Sequence, residues 1–340
     1  MVTRTHVQQS NAKLTEHTSP RTAVFVGGTS GIGKLTLIEL VSLGFPITVY
    51  IVGRKTTEPA MRVVLDDLRQ KNGKAVLEWV EAEVSLLAET RRVCDLIKAK
   101  ESSLDFLCLT AGYAPFGGRN NTTEGLDITH ALEYYSRMLF TLNLLPLLRA
   151  APSPRVLTVL AGSMLSTRID ASDLNLERSD SLFGFRTQTH MANMNSLFFD
   201  RLAADPANGA ISFVHNWPGA VDTGNMARYH TPTRWSPWPL THLLRVLFLV
   251  MGFDEKEAGE RHVYIATSGR FGGAAGPLGE KEDGGSRCKN TRGQEGENGL
   301  FLLNHKGDVS YSEKALEELR GEVQGKVWDT TMEILGPYLG

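Results

Sequence analysis

The segment Val24-Phe25-Val26-Gly27-Gly28-Thr29-Ser30-Gly31-Ile32-Gly33-Lys34 leaves an apolar run, turns through glycines and opens a helical pattern. Glycines let a backbone approach a pyrophosphate closely, and a helix start offers free N–H groups and a positive dipole end. Gly27, Thr29, Ser30, Gly31, Ile32 and Gly33 are therefore expected to cradle a dinucleotide. An acidic residue about 20 positions further on would bind a ribose 2′-hydroxyl. Gly53-Arg54-Lys55 stands there instead. The planar fork of Arg54 suits a 2′-phosphate, so NADP(H) is the expected cofactor.

The elements that must position this loop alternate strand and helix. Apolar strand runs are expected at Thr22–Val26, Ile47–Val52, Ala75–Val80, Leu104–Leu109, Val156–Leu160 and Ile211–His215, with Leu300–Leu303 as a further strand. Helical spacing occupies Lys34–Leu43, Pro59–Gln70, Leu86–Lys100, Leu126–Ala150, Met191–Ala204, Glu255–Thr267 and Ser312–Leu335. This alternation predicts an α/β fold with a single doubly wound parallel sheet of Rossmann type and helices on both faces. The expected organisation is a disordered N-terminal tail over 1–20, the main domain over 21–270, a flexible loop over 271–299 and a packed C-terminal extension over 300–340.

Composition narrows the partners. Hydrophobic residues make up 41% and charged residues 22%, enough for a sizeable core and against a wholly disordered chain. The net charge of −2 gives no basic footprint for nucleic acid. Three scattered cysteines offer neither a disulfide framework nor a metal site. The polar stretch Met1–Arg21 lacks the apolar core of a secretory signal, and no run reaches the roughly 20 residues needed to span a bilayer. A cytoplasmic protein with no integral membrane segment is expected.

The glycine spacing, Thr110-Ala111-Gly112 after the fourth strand and Pro218-Gly219-Ala220-Val221-Asp222-Thr223 after the sixth together resemble the short-chain dehydrogenase/reductase family. Residues 124–148 are similar to retinol-dehydrogenase-like members and to fungal members found in secondary-metabolite pathways. The resemblance implies that Val84, Ala111, Gly112, Pro218, Gly219, Val221 and Thr223 also line the cofactor site. It further implies a small-molecule substrate and a possible homo-oligomer.

The family's chemistry uses a Tyr, a Lys four residues later, a Ser and an Asn. Aligned on Asn195, Leu197 and Phe198, the Tyr position carries Gln188, the Lys position Ala192, the Ser position Ala161 and the Asn position Glu133. An amide cannot donate a proton near neutral pH, and losing a positioned general acid costs about 10²- to 10⁴-fold in rate. Ser163 and Tyr113 are the candidate catalytic replacements, with His190 and Glu133 as further proton carriers. Conjugate or imine reduction tolerates the loss better than ketone reduction. The apolar stretch Tyr229–Met251 is a candidate substrate cover, suited to a hydrophobic molecule. Three functions fit these residues: an NADP(H)-dependent oxidoreductase, a non-redox isomerase or cyclase on the same scaffold, and a dinucleotide-binding pseudoenzyme.

Overall fold

The computed structural model describes residues 2–112, 116–178, 182–183, 185–219, 253–272 and 287–340. Seven strands form one parallel sheet: β1 (Thr22–Val26), β2 (Ile47–Gly53), β3 (Ala75–Glu81), β4 (Phe106–Leu109), β6 (Arg155–Val159), β8 (Ser212–Asn216) and β9 (Gly299–Leu303). Their order is β3-β2-β1-β4-β6-β8-β9. A separate two-stranded ribbon pairs β5 (Phe116–Gly117) with β7 (Leu182–Phe183). Strands β1, β4, β6, β8 and β9 are buried along their whole length, as a sheet covered on both faces requires.

Two apolar cores lie on opposite faces of the sheet. One packs beneath α1 (Arg4–Ala12), α2 (Gly31–Ser42), α3 (Glu58–Lys71) and, from the far end of the chain, Glu255–Thr267. In α3, Met61, Leu65 and Leu68 are buried at helical spacing while Arg62 and Arg69 stay in solvent. The other core packs beneath α4 (Leu87–Lys100), α5 (Ser136–Ala150) and α6 (Phe185–Ala204). Continuing the numbering, Glu255–Thr267 is α7, Glu313–Glu322 is α8 and Gln324–Leu335 is α9. The last two pack on α6, where Trp328 stacks on Phe198 at 5.0 Å between ring centroids.

The N-terminal segment, expected as a disordered tail, is instead the helix α1. Thr3 caps it by accepting the His6 N–H, and Val7 is fully buried. Its order comes from α7: Arg4 Nε donates to Glu260 Oε2 at 2.9 Å and Asn11 Nδ2 to the Glu260 carbonyl at 2.9 Å. Residues 287–299, expected to be a flexible loop, are likewise folded in. Cys288, Asn290 and Thr291 are buried, and Thr291 Oγ1 donates to Asp200 Oδ1 of α6 at 2.7 Å. Helix α6 begins at Phe185, one to two turns before the expected start at Met191. Among the described residues, no helix is long and apolar enough to cross a membrane, and no cluster of three His, Cys, Asp or Glu could hold a metal.

Candidate functional site

The chain runs outward from β1 through β2 to β3, then crosses back to β4 on the other side of β1. Such a reversal leaves a crevice at the carboxyl ends of the two strands, where doubly wound folds bind ligands. The glycine loop fills the rim of that crevice. Gly27 has φ +98°, and a Cβ there would stand 2.4 Å from the Ala111 nitrogen. A Cβ on Gly33 would stand 2.4 Å from Thr110 Oγ1 and 2.7 Å from the Gly27 carbonyl oxygen. Both Thr110 and Ala111 donate their N–H groups to the Val26 carbonyl, at 2.8 and 3.0 Å. The loop after β1 and the segment after β4 are thus interlocked, and only glycine fits at the two contact points.

Ser30 takes the N-cap position of α2 but its side chain caps none of the helix N–H groups. In α1, α7 and α8 the caps Thr3, Asp254 and Ser312 each accept such a bond. An uncapped helix start in a glycine-lined rim suits an oxyanion group of a ligand. Thr29 packs over the end of β2, where a Cβ on Gly53 would lie 2.5 Å from Thr29 Cγ2. Arg54 follows directly and is exposed. Val84, after β3, is buried in the core with its carbonyl accepting from Thr90 Oγ1, so a ligand could meet little more than its edge. These residues fit a dinucleotide with a phosphate near Arg54.

On the other side of Gly112 lies a second group of polar residues. The chain enters α5 through a single π turn, Ala131–Tyr135, with Glu133 at its centre. Such turns are rare and often occur at functional sites. Glu133 is buried, and its Cγ and Oε1 each lie 3.0 Å from where a Cβ of Gly112 would stand. From α6, Gln188 Nε2 donates to Glu133 Oε2 at 3.0 Å, and Asn195 Nδ2 donates to the Glu133 carbonyl at 2.9 Å. One turn along, Arg137 is fully buried. It donates to the carbonyls of Ala111 (2.7 Å) and Val159 (3.0 Å) and to Thr158 Oγ1 (2.7 Å), clamping the ends of β4 and β6 together. Burial pushes its guanidinium down to about 10, with the Glu133 charge acting in the opposite direction.

The structure thus brings together Gly27, Gly33, Ala111, Gly112, Glu133 and Gln188. Ser163 lies in the turn after β6, half-buried, and is not bonded into that group. His190 is buried with Nε2 bound to the Leu174 carbonyl at 2.9 Å, and burial pushes its pKa down. Ala192, at the expected Lys position, is 1% exposed. Pro218 and Gly219 follow β8, and Gly219 takes φ +73° against His305. Tyr113, Val221, Thr223 and the apolar stretch 229–251 lie outside the described residues. Sequence reasoning missed Arg137, although a charged residue four positions after Glu133 in an otherwise apolar helix is a signal of a buried polar pair.

The topology and the interlocked glycine rim define a Rossmann-type α/β protein. No family model matches the chain. It is 38% identical over 339 residues to an oxidoreductase of Emericella nidulans, covering 98% of each chain. It is 32% identical over 332 residues to an NmrA-like family domain-containing oxidoreductase of an Aspergillus species, covering 97% of this chain and 94% of that one. The short-chain dehydrogenase/reductase SAT2 of Stachybotrys chartarum is 27% identical over 331 residues, with 92% of this chain and 91% of that one covered. Among solved structures, the RhlG/NADP complex of Pseudomonas aeruginosa has a TM-score of 0.55 and 20% identity, covering 76% of this chain and 94% of that chain. The chain belongs to the short-chain dehydrogenase/reductase family.

Proposed function

We propose that this chain is an NADP(H)-dependent oxidoreductase acting on a hydrophobic small molecule, in the biosynthesis of a secondary metabolite. The observation that carries the cofactor half is the glycine rim locked onto Thr110 and Ala111, with Arg54 exposed beyond β2. The fungal oxidoreductases among its relatives support the biosynthetic half. The α2 N–H groups and the rim Gly27, Thr29, Ser30, Gly31, Ile32 and Gly33 would hold the pyrophosphate, and Arg54 the 2′-phosphate. Ala111, Gly112, Pro218 and Gly219, with Val221 and Thr223, would border the nicotinamide end. When bound, the nicotinamide supplies or takes up a hydride. Ser163 and Tyr113 are the hydroxyls proposed to face the substrate.

Titration with NADPH and NADH, followed by thermal shift and fluorescence, tests this reading. A ligand that binds only the folded state must raise its apparent stability. NADPH is expected to bind more tightly than NADH, and Arg54→Ala to lose that preference by about tenfold or more, the worth of a charge-assisted phosphate contact. In Gly33→Ala the new methyl would push Thr110 and the loop apart, so NADPH affinity is expected to fall at least tenfold while far-UV circular dichroism stays native. Unchanged affinity in Gly33→Ala would mean that the rim is not the binding site. Failure of both cofactors to bind would favour a second reading, a non-redox isomerase or cyclase on the same scaffold, whereas NADP(H) binding without turnover of any substrate would favour a dinucleotide-binding pseudoenzyme. That reading draws on Gln188 and Ala192 standing in α6 where the family carries its acid/base pair.

A further inference from the structure

We propose that Gln188, aimed by Glu133, hydrogen-bonds the substrate's oxygen, and that the substrate is an α,β-unsaturated carbonyl compound reduced at its carbon–carbon double bond. This rests on the NADP(H) reading above. Gln188 is half-buried, at the end of the first turn of α6, and its Nε2 donates to Glu133 Oε2 at 3.0 Å. A carboxylate only accepts hydrogen bonds. Flipping the amide would set Gln188 Oε1 against Glu133 Oε2, two acceptors facing each other. The amide is therefore held with Nε2 toward Glu133. Its second N–H and its Oε1 have no hydrogen-bond partner among the described residues. Glu133 is itself fixed: it is 2% exposed, seated against Gly112, tied through its carbonyl to Asn195, and one turn from the buried Arg137. Glu133 is thus a positioning residue, and Gln188 the group presented to the substrate.

The chemistry follows from what an amide can do. Its N–H stabilises negative charge on an oxygen but transfers no proton near neutral pH. Hydride addition to a saturated ketone creates a localised alkoxide that must be protonated as it forms. Hydride addition to the β-carbon of an enone forms a C–H bond there and shifts the π electrons to give an enolate. The enolate's charge is shared between carbon and oxygen. The reduced nicotinamide is oxidised, the Gln188 N–H holds the enolate oxygen, and water later gives a proton to the α-carbon, releasing hydroxide to the buffer. Double-bond reduction therefore needs no proton donor at position 188.

The test uses the full chain loaded with NADPH and two matched probes, benzylideneacetone and its saturated analogue benzylacetone. Benzylideneacetone is expected to be converted to benzylacetone, and benzylacetone not to be reduced. Gln188→Leu should lower kcat about 100-fold, the cost of losing one oxyanion donor. Its NADPH-induced shift should stay as in the wild type, while its melting temperature falls by a few degrees because the buried Glu133 carboxylate loses its donor. A second readout needs no turnover. In ¹⁵N-labelled protein loaded with NADP⁺, the side-chain amide resonance that is missing from Gln188→Leu should move on adding benzylacetone. In Glu133→Gln that resonance should start at a different position and respond less. Reduction of benzylideneacetone to the allylic alcohol, equal turnover of benzylacetone, no turnover of benzylideneacetone, or an unmoved Gln188 resonance would each overturn the proposal. If NADPH fails to raise the melting temperature, the cofactor reading has failed first; if NADPH binds and any of those results is seen, this inference alone falls.

Discussion

Asp200→Asn is expected to destabilise the protein by about 3–5 kcal/mol, the usual cost of breaking a buried, hydrogen-bonded ion pair from one side. The Asp200 side chain is 0% exposed. Its oxygens accept from Arg320 Nη2 (2.6 Å) and Nε (2.9 Å), Thr291 Oγ1 (2.7 Å), Gln324 Nε2 (3.0 Å) and Arg292 Nη2 (3.3 Å). Burial alone would push this carboxyl's pKa up, but the bonds from Arg320 and Thr291 outweigh it and leave the group below the usual carboxylate range. One carboxylate thereby joins α6, the segment 287–298, α8 and the start of α9. The asparagine keeps the shape but loses the charge, and the Arg320 side chain, only 22% exposed, then lacks its counter-ion. Urea unfolding at neutral pH measures the loss directly. The exposed i,i+4 pair Arg62–Glu58 makes a contrast, because Arg62→Ala should cost less than about 0.5 kcal/mol. A loss below about 1 kcal/mol in Asp200→Asn would mean that water replaces the network, and the C-terminal helices would then be held by apolar packing and their other hydrogen bonds, such as Gln324 Nε2 to the Leu197 carbonyl and Tyr134 with Thr331.

What could be read in the residues and what could not divides along chain distance. The strand–helix alternation, the glycine turn and Arg54 are local patterns, and periodicity and turn chemistry carry them. Even the short run Leu300–Leu303, stranded beyond a glycine-rich stretch, is a strand, because its unbroken apolar character suits only a buried position beside β8. The helix α1 was illegible for the opposite reason. Its sequence is polar and short, and an isolated nine-residue helix is unstable in water. It is held by Glu260, more than 240 positions away in the chain. The same applies at the site. Glu133 and Gln188 were each visible as misfits at family positions, but their hydrogen bond spans 55 residues. The π turn that aims Glu133 leaves no trace in the apolar spacing of residues 126–150, since it displaces the helix phase at one point only.

Stability is expected to begin falling as the pH drops below about 6.5, well before ordinary carboxylates titrate, because of His215. This residue of β8 is completely buried. Its Nε2 accepts the Ala161 N–H at 3.3 Å and its Nδ1 pairs with Ser196 Oγ at 2.9 Å, so the neutral ring is satisfied on both sides. Burial, with a smaller contribution from the Arg137 charge, lowers its pKa from 6.5 to about 3. The folded state therefore refuses a proton that the unfolded chain takes up. The contribution is fully present above pH 6.5 and is lost progressively down to about pH 3, where the folded imidazole itself titrates. Each pH unit in that window costs up to about 1.4 kcal/mol, or roughly 5 kcal/mol in all. That is of the order of the whole stability of a typical domain. His190, also lowered by burial, adds to the fall. The carboxylates held below their usual range, Asp127 and Asp200, add theirs only below about pH 4. Urea unfolding between pH 7.5 and 4.5 should show wild-type stability falling more steeply than that of His215→Gln, by one proton's worth of slope. Parallel slopes would mean that the fold already admits a proton or water at His215. The effect bears on the site because a Cβ on Gly162 would stand 1.9 Å from the His215 carbonyl oxygen, so the turn carrying Ser163 rests directly on this strand. Protonating the imidazole would break its bond from Ala161, so above about pH 3 the ring takes up its proton only as this strand opens, and the turn carrying Ser163 is lost with it.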